Sequence, residues 1–259
     1  MINLAFKKKL TKPPTLESFT DKKSDEVKNI SATWYISKSQ LATYSICPMQ
    51  FYKRYILKIR SPPTPAMELG TRFHEFAEKF VINNDMLQPG AWHECIPKQF
   101  TEAEKENARW FIDYEWERYN KLGHALWKPL CVEKKLKSPT QYLTGFIDRV
   151  DMNEDGESVN IVEYKTGAKI KPAEIKLQSA LYKKLWDEVN PTLPATTCSV
   201  INPVLQKAEV YDIPKRSMTT IDRQIAALRD ALDMNIWPRS CSMVMYSYCG
   251  LCDIKEVEL

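Results

Sequence analysis

The sequence predicts an α/β protein in which helices flank a mixed β-sheet and a helical region precedes that sheet. The spacing of apolar residues is helical toward both ends of the chain and alternates, as it does in strands, through the middle. The predicted elements follow the order helix, three strands, helix, strand, which is typical of an α/β core. A chain of 259 residues with 44% hydrophobic residues is also large enough to bury a full-sized core.

The N-terminal part of the chain predicts an arm followed by helices. Residues 1–32 have little periodic apolar content and predict an extended arm, whereas residues 33–259 predict a single domain. A first helix should begin near Ser37, with Ser37 or Ser39 as its N-cap, and the Cys47-Pro48 pair should end it and start another. Two longer helices are predicted over residues 67–83 and 102–122. They belong to a predicted helical region that covers residues 37–122.

The middle of the chain predicts strands because apolar residues alternate there and turn-forming residues separate the runs. The predicted strands cover residues 130–136, 142–152, 159–164, 197–204 and 207–213. The first three should form an antiparallel meander. Further helices are predicted over residues 172–189 and 218–234. These elements divide into a catalytic core, residues 129–213, and a C-terminal helix with a cysteine-bearing tail, residues 217–259.

Composition limits the classes of function without choosing among them. A net charge of +4 permits a nucleic-acid partner but does not demand one. The sequence offers no signal-peptide core and no apolar run long enough to span a bilayer, so we expect a cytoplasmic protein without a membrane partner. In a reducing compartment, seven unevenly spaced cysteines predict free thiols or metal ligands rather than disulfides. Composition gives no indication of protein partners.

The strongest chemical signal is a pair of carboxylates beside a lysine. Glu163 and Lys165 are two residues apart in a predicted strand and therefore share a face, where Asp148 on the neighbouring strand can meet them. Clustered carboxylates are unfavourable unless a cation neutralises them, and hard oxygen ligands suit Mg²⁺ or Mn²⁺. Such a cation would activate a phosphodiester and a water, and Lys165 could orient or help deprotonate that water.

The residues around this pattern resemble a known family. Four ordered motifs carry the resemblance: Gly70 to His74, Gly145 to Asp151, Glu163 to Gly167, and Gln178 to Tyr182. They are similar to the motifs of the PD-(D/E)XK nuclease superfamily, and specifically of its RecB-like branch, which includes the CRISPR-associated exonucleases. The resemblance implies a restriction-endonuclease-like core.

This resemblance also implies a function and a set of residue roles. It implies a metal-dependent DNA nuclease, most simply an exonuclease that acts on single-stranded or end-containing DNA in recombination, repair or processing. Asp148, Glu163 and Lys165 would be catalytic, and His74 would join Asp148 and Glu163 as a metal ligand. Gln178 and Tyr182, four apart on one helix face, would contact the nucleic acid. Asp151 and Glu133 are secondary candidates, which we expect to face water or to pair with Arg149.

The cysteines suggest a second metal centre. Many RecB-like nucleases hold a [4Fe-4S] cluster with one cysteine before the catalytic core and three after it. Cys47, Cys249 and Cys252 are similar to part of that set, but the last cysteine of the family has no counterpart after Cys252, so Cys241 is the predicted fourth ligand. A Zn²⁺ ion on the same thiols, or no metal, are the alternatives.

Two other readings compete with a nuclease. The chain could be a nucleic-acid-binding or assembly module that has kept the fold without turnover, although a decayed site would be expected to lose at least one of its catalytic residues. Alternatively, the cysteines could make it a redox or metal-sensing protein, which predicts a visible chromophore and no hydrolysis.

Overall fold

The structure is a computed structural model, and it describes residues 33–59, 62–83 and 89–240. Its helices are α1 Lys38–Ile46, α2 Pro48–Phe51, α3 Pro65–Asn83, α4 Glu102–Trp127, α5 Pro172–Val189 and α6 Lys215–Met234. A π-helical turn, Tyr52–Ile56, follows α2, and a 3-10 helix, Pro89–Cys95, precedes α4. The strands are β1 Ile36–Ser37, β2 Cys131–Ser138, β3 Leu143–Met152, β4 Val159–Tyr164, β5 Ala195–Asn202 and β6 Lys207–Asp212.

These elements confirm the predicted mixed sheet with flanking helices. The central strand is β3, which pairs with β2 in antiparallel orientation along one edge. On its other edge, β1 runs parallel to the start of β3 and β4 runs antiparallel to its end. Beyond β4 the sheet continues with β5, which is parallel to β4, and then with β6, which is antiparallel to β5.

Local sequence explains where the first helices begin and end. Ser37 is the N-cap of α1 and forms a capping box with Gln40, which satisfies backbone N–H groups at the helix start. Cys47 is extended and Pro48 opens α2, so the predicted break at this pair is confirmed. The short strand β1 was not predicted, because a two-residue strand leaves no periodic signal in the sequence.

The sheet is buried on both faces by separate groups of side chains. Helices α1, α5 and α6 cover one face, where Ile147, Leu181 and Leu228 belong to one apolar cluster. Helices α3 and α4 cover the other face, where Phe73, Phe111 and other aromatic side chains pack on β4 and β5. Among the described residues, no helix is both long and apolar enough to cross a membrane.

Candidate active site

Three potential metal ligands converge on the face of the sheet that α3 packs against. His74 projects from α3, Glu133 from β2 and Asp148 from β3, and one ligand atom of each lies within 4.8 Å of the others. The Nδ1 atom of His74 is 3.5 Å from Asp148 Oδ1 and 3.7 Å from Glu133 Oε1. Two of the three were predicted as ligands from the sequence, and Glu133 was only a secondary candidate.

Glu133 reaches this group because the β2–β3 ladder is irregular at that point. Between the pairs Val132↔Arg149 and Lys134↔Ile147, Glu133 adopts a φ of 43°, in the left-handed region. A glutamate in that conformation is uncommon, and here it lies opposite Asp148 in the ladder. No pattern in the sequence indicates this local distortion. Glu133, a secondary candidate from the sequence, therefore lies beside His74, and Arg149 pairs with Glu115 and Asp151 instead.

Asp148 sits where β3 and β4 separate. The last ladder pair between the two strands is Arg149↔Val162, and beyond it the backbone N–H of Tyr164 donates a hydrogen bond of 2.8 Å to Asp148 Oδ2. Because the strands diverge here, the Tyr164 N–H has no backbone acceptor on β3, and the Asp148 carboxylate accepts its hydrogen bond instead. Burial, followed by the nearby Glu163, raises the pKa of Asp148.

Glu163 is a further carboxylate of the site, and one of its oxygens binds two lysines. Its Oε1 atom accepts hydrogen bonds from Lys165 and, at 3.3 Å, from Lys38. Burial alone would raise the pKa of Glu163, but Lys38 and Lys165 lower it below its ordinary value. Its other oxygen, Oε2, is buried and has no hydrogen-bond partner among the described residues.

Lys165 is held between β4 and α5. Its Nζ atom donates to Glu163 and, at 3.2 Å, to Gln178 Oε1. Burial acts to lower the pKa of Lys165, but Glu163 outweighs it and the net shift is upward. The predicted meeting of Glu163 and Lys165 is thus present, and α5 adds a second contact to the ammonium through Gln178.

Lys38 was missed by the sequence analysis. It begins α1 and lies 125 residues from Glu163 in sequence, and the parallel pairing of β1 with β3 brings the two together. No motif links them, so only the tertiary structure identifies this second lysine.

Gln178 and Tyr182 occupy different positions from the ones expected. Their helix face is not open to solvent, since Gln178 is 7% and Tyr182 5% exposed. Tyr182 packs against Gly145, where an added Cβ atom would lie 2.9 Å from the Tyr182 ring. The side chain of Gln178 accepts a hydrogen bond from Lys165 and does not lie on an open surface. Their direct contact with nucleic acid stays a prediction, and their present contacts position Lys165 and α5.

A buried ion-pair network supports the end of β3. Arg149 binds Glu115 of α4 at 2.9 Å and Asp151 at 2.8 Å, and Arg118 binds the same two carboxylates at 2.7 Å each. The expectation that Asp151 pairs with Arg149 is confirmed. The network ties α4 to the strand that carries Asp148.

The donor set suits a hard divalent cation. An imidazole nitrogen and carboxylate oxygens are ligands that Mg²⁺ and Mn²⁺ accept. Glu133 Oε1 and Glu163 Oε2 are buried and have no hydrogen-bond partner within the described part of the chain, and such atoms are costly unless something binds them. Burial acts to lower the pKa of His74, but Asp148 and the other carboxylates outweigh it, so the net shift of the pKa is upward. The shift shows that the surroundings of His74 are strongly negative. The residues present therefore fit a metal ion.

Only one of the four predicted cluster cysteines lies in the described part of the chain. Cys47 is 4% exposed, whereas Cys241, Cys249 and Cys252 lie outside the described residues. The backbone N–H of Met49 donates to Pro238 at 3.3 Å, so the chain leading to Cys241 passes close to Cys47. Among the other cysteines, Cys198 lies in the core and is 2% exposed, whereas Cys95 and Cys131 are half-buried.

Fold and site together define a nuclease: helices enclose a mixed sheet, and acidic residues, a histidine and a lysine meet where two strands part. The chain belongs to the PD-(D/E)XK nuclease superfamily, whose family profile matches residues 35–257. The fold is similar to that of a candidate exonuclease from Eubacterium rectale, with a TM-score of 0.52, 10% sequence identity and 95% of each chain covered. No curated protein sequence matches the chain.

Proposed function

We propose that this nuclease is a metal-dependent deoxyribonuclease, acting as an exonuclease on single-stranded or end-containing DNA. The observation that carries the proposal is the convergence of His74, Glu133 and Asp148 beside the Glu163–Lys165 pair. A cation site next to a fixed ammonium can stabilise the negative charge that develops during hydrolysis of a phosphodiester.

The side chains divide the work between binding and orientation. His74, Asp148 and Glu133 would hold the cation, with the unpaired oxygen of Glu163 available to join them. When bound, a divalent cation supplies Lewis-acid polarisation of the phosphate and lowers the pKa of a water molecule. Lys165, fixed by Glu163 and Gln178, would hold the attacking water or a phosphate oxygen at the reacting phosphorus.

A cleft beside the site supports a substrate with a free single-stranded end. It has a volume of about 560 Å³, lies between α1, α5 and α6, and includes Lys38, Lys165 and Gln178 in its lining. Apolar residues form most of its wall, Lys169 adds positive charge, and Lys171 forms an ion pair with Glu174 there. A space of this size suits a small ligand such as a nucleotide and is too small for a duplex.

The proposal is tested by incubating purified protein with end-labelled single- and double-stranded DNA in Mg²⁺ or Mn²⁺. We expect short products from single strands, and no products from Asp148→Ala or Lys165→Ala variants. Intact DNA after incubation with folded wild-type protein would instead support a binding or assembly module. Recombination, repair or end processing inside the cell is the setting that such an activity fits.

A [4Fe-4S] cluster held by Cys47, Cys241, Cys249 and Cys252 is part of the proposal. The nearness of Pro238 to Met49 supports it, because Cys241 is three residues beyond Pro238 and Cys47 is two residues before Met49. Four thiolates are the usual ligand set of such a cluster, and a Zn²⁺ ion on the same residues is the alternative.

A further inference from the structure

A row of basic and aromatic side chains leads away from the catalytic centre along the sheet. We name it the sheet-face strip; its members are Lys135, Phe146, Lys137 and Tyr35. Phe146 is 54% exposed, which is unusual for a phenylalanine on a strand that is otherwise largely buried. Lys135 Nζ lies 5.4 Å from the centre of the Phe146 ring, and Lys137 Nζ lies 4.9 Å from that of Tyr35.

The strand register places these side chains one after another along the sheet, starting next to the proposed metal ligands. Phe146 is two residues before Asp148 on β3, and it pairs with Lys135, which is two residues after Glu133 on β2. The next pair on this face is Thr144 with Lys137. Because side chains alternate along a strand, this face is opposite to the one on which Gly145 contacts α5.

The spacing of the strip matches an extended polymer. Each step of two residues along a strand covers about 6.8 Å. Adjacent phosphates of an extended single strand are separated by a similar distance, so successive phosphates can meet successive lysines. Tyr35, whose ring contacts Tyr142 with centroids 5.5 Å apart, closes the row at the end of β3 remote from Asp148.

The chemistry of the strip favours unpaired bases. Lysines neutralise phosphates, while exposed aromatic rings stack on bases of any sequence. The lysine–ring contacts seen here are weak at an exposed site, so a base can take the place of the ammonium on the ring. Neither ladder pair of the strip, Lys135↔Phe146 or Lys137↔Thr144, includes a carboxylate that would repel phosphate.

We propose that the sheet-face strip binds single-stranded nucleic acid and guides it to the catalytic centre. This inference rests on the proposed nuclease function, and it adds the surface that holds the substrate: a strand whose bases are unpaired next to the scissile phosphate would lie along the strip. A duplex keeps its bases stacked on one another and cannot use the exposed ring of Phe146 in this way.

Binding of a fluorescein-labelled dT12 strand, measured by fluorescence anisotropy in EDTA so that the strand is not cleaved, tests the proposal. We expect Phe146→Ala to weaken binding about tenfold, because it removes one base-stacking platform. The double variant Lys135→Ala/Lys137→Ala should flatten the slope of log K against log salt by about 1.4, or about 0.7 for each lost phosphate contact. Binding of a 12-base-pair duplex should not depend on Phe146.

The matched control is Lys134→Ala. Lys134 is exposed and adjacent to Lys135 on the same strand, but it pairs with Ile147 and so belongs to the opposite face of the sheet. We expect Lys134→Ala to change binding of dT12 less than twofold. Equal losses from Lys134→Ala and Lys135→Ala would overturn the strip, since the effect would then be one of overall charge.

Hydrolysis of bis(p-nitrophenyl) phosphate, a diester without bases, separates the strip from the catalytic centre. Phe146→Ala should leave this hydrolysis unchanged while it slows cleavage of dT12. If the wild-type protein cleaves dT12 and Phe146→Ala binds it equally well, the strip is wrong and the nuclease stands. If the wild-type protein binds dT12 through Phe146 but hydrolyses neither substrate, the strip stands and the proposed nuclease is wrong.

Discussion

Glu163 shows how a single side chain can organise an active site. One oxygen is shared by two lysines, and the other is left without a hydrogen-bond partner among the described residues. Both lysines therefore depend on this carboxylate for their position, and each of them should contribute separately to activity.

Replacing Lys38 by alanine should lower kcat for single-stranded DNA about tenfold, because general electrostatic and orienting groups typically contribute one to several orders of magnitude. KM and the melting temperature should change little, since Lys38 is about one-third exposed at its side chain. Lys38→Arg should restore part of the activity. A Lys38→Ala enzyme with wild-type kcat would show that this lysine only neutralises Glu163.

Glu133 makes a prediction about metal affinity that does not depend on turnover. Glu133→Gln removes a charged ligand from the group formed with His74 and Asp148, so Mn²⁺ affinity measured by isothermal titration calorimetry should fall about 10- to 100-fold. Glu157→Gln, a change at an exposed glutamate after β3, is the control. Unchanged Mn²⁺ binding in Glu133→Gln would exclude Glu133 from the ligand set.

The sequence was sufficient for some of these residues and not for others. Asp148, Glu163 and Lys165 were predictable because strand alternation and hairpin pairing are local properties. Glu133 was not predictable, because its position depends on its own left-handed backbone conformation inside a strand, and no sequence pattern predicts that conformation. Lys38 was not, because a parallel pairing across more than a hundred residues decides its position.

At the scale of elements, the sequence predicted the helices and most strands because their apolar periods differ. Observed helices often extend the predicted ones by a few residues; α4, for example, continues to Trp127 past the predicted end at 122, with a break at Gly123 (φ 72°). The burial of Gln178 and Tyr182 was not predicted, and it arises because α5 is covered on more than one side, by the sheet and by α6. A helical period identifies an apolar stripe but not a second packing partner.

The contact between α5 and β3 depends on the absence of a side chain at Gly145. A Cβ atom there would lie 2.9 Å from Tyr182 Cε1 and 3.1 Å from Leu185 Cδ1, so Gly145→Ala should destabilise the protein by about 1–3 kcal/mol. Gly167→Ala is the control, because its Cβ would meet only ordinary contacts at 3.8 Å. Urea denaturation measures both free energies of unfolding.

A double-mutant cycle identifies the cause of the Gly145 effect. Tyr182→Ala removes the ring that the new methyl group would strike, so the cost of Gly145→Ala should be smaller in that background than in the wild type. Additive losses in the double variant would mean that the strain arises elsewhere, for example at Leu185.

The ion-pair network between α4 and β3 predicts a pH-dependent stability. Burial acts to raise the pKa of Glu115, but Arg118 and Arg149 lower it below its ordinary value of 4.5. A carboxylate with a depressed pKa in the folded state stabilises that state above its unfolded pKa, and this stability is lost as the pH falls through the folded value.

Glu115→Gln should therefore cost about 3–5 kcal/mol at pH 7, because it breaks a buried pair and leaves Arg149 and Arg118 undercompensated. The difference in the free energy of unfolding between this variant and the wild type should shrink as the pH falls below about 4.5, where Glu115 begins to bind a proton in the unfolded chain. Chemical denaturation at pH 7 and at pH 3.5 measures it. A difference that does not change with pH would mean that Glu115 acts through packing alone.

For the whole molecule, two separate packed layers enclose the sheet, and the residues of the candidate active site come from both. Lys38 and Gln178 belong to the layer of α1, α5 and α6, whereas His74 belongs to the layer of α3 and α4. The site is therefore assembled only when both layers are packed on the sheet. The sequence predicted the fold class, but not the way in which the two layers share the site.

The proposed iron–sulfur cluster acts at this scale because it would join the region after α6 to the turn between α1 and α2. Protein purified without oxygen should be brown and absorb visible light, and Cys47→Ser should lose the iron and melt at a lower temperature. Cys198→Ser, a change at a thiol buried in the sheet, is the control and should keep the colour. Colourless protein that contains zinc would replace the cluster by a Zn²⁺ site.

The hydrogen bond from the Tyr164 backbone to Asp148 has a consequence for how this protein can evolve. The residue at position 148 has a proposed role in turnover and also completes the backbone bonding of two strands, so selection for stability alone would retain it. A lineage that abandoned hydrolysis would keep aspartate or asparagine at 148 while Lys165 drifted freely. In a comparison of descendants, loss of the lysine would therefore mark loss of activity earlier than loss of the aspartate.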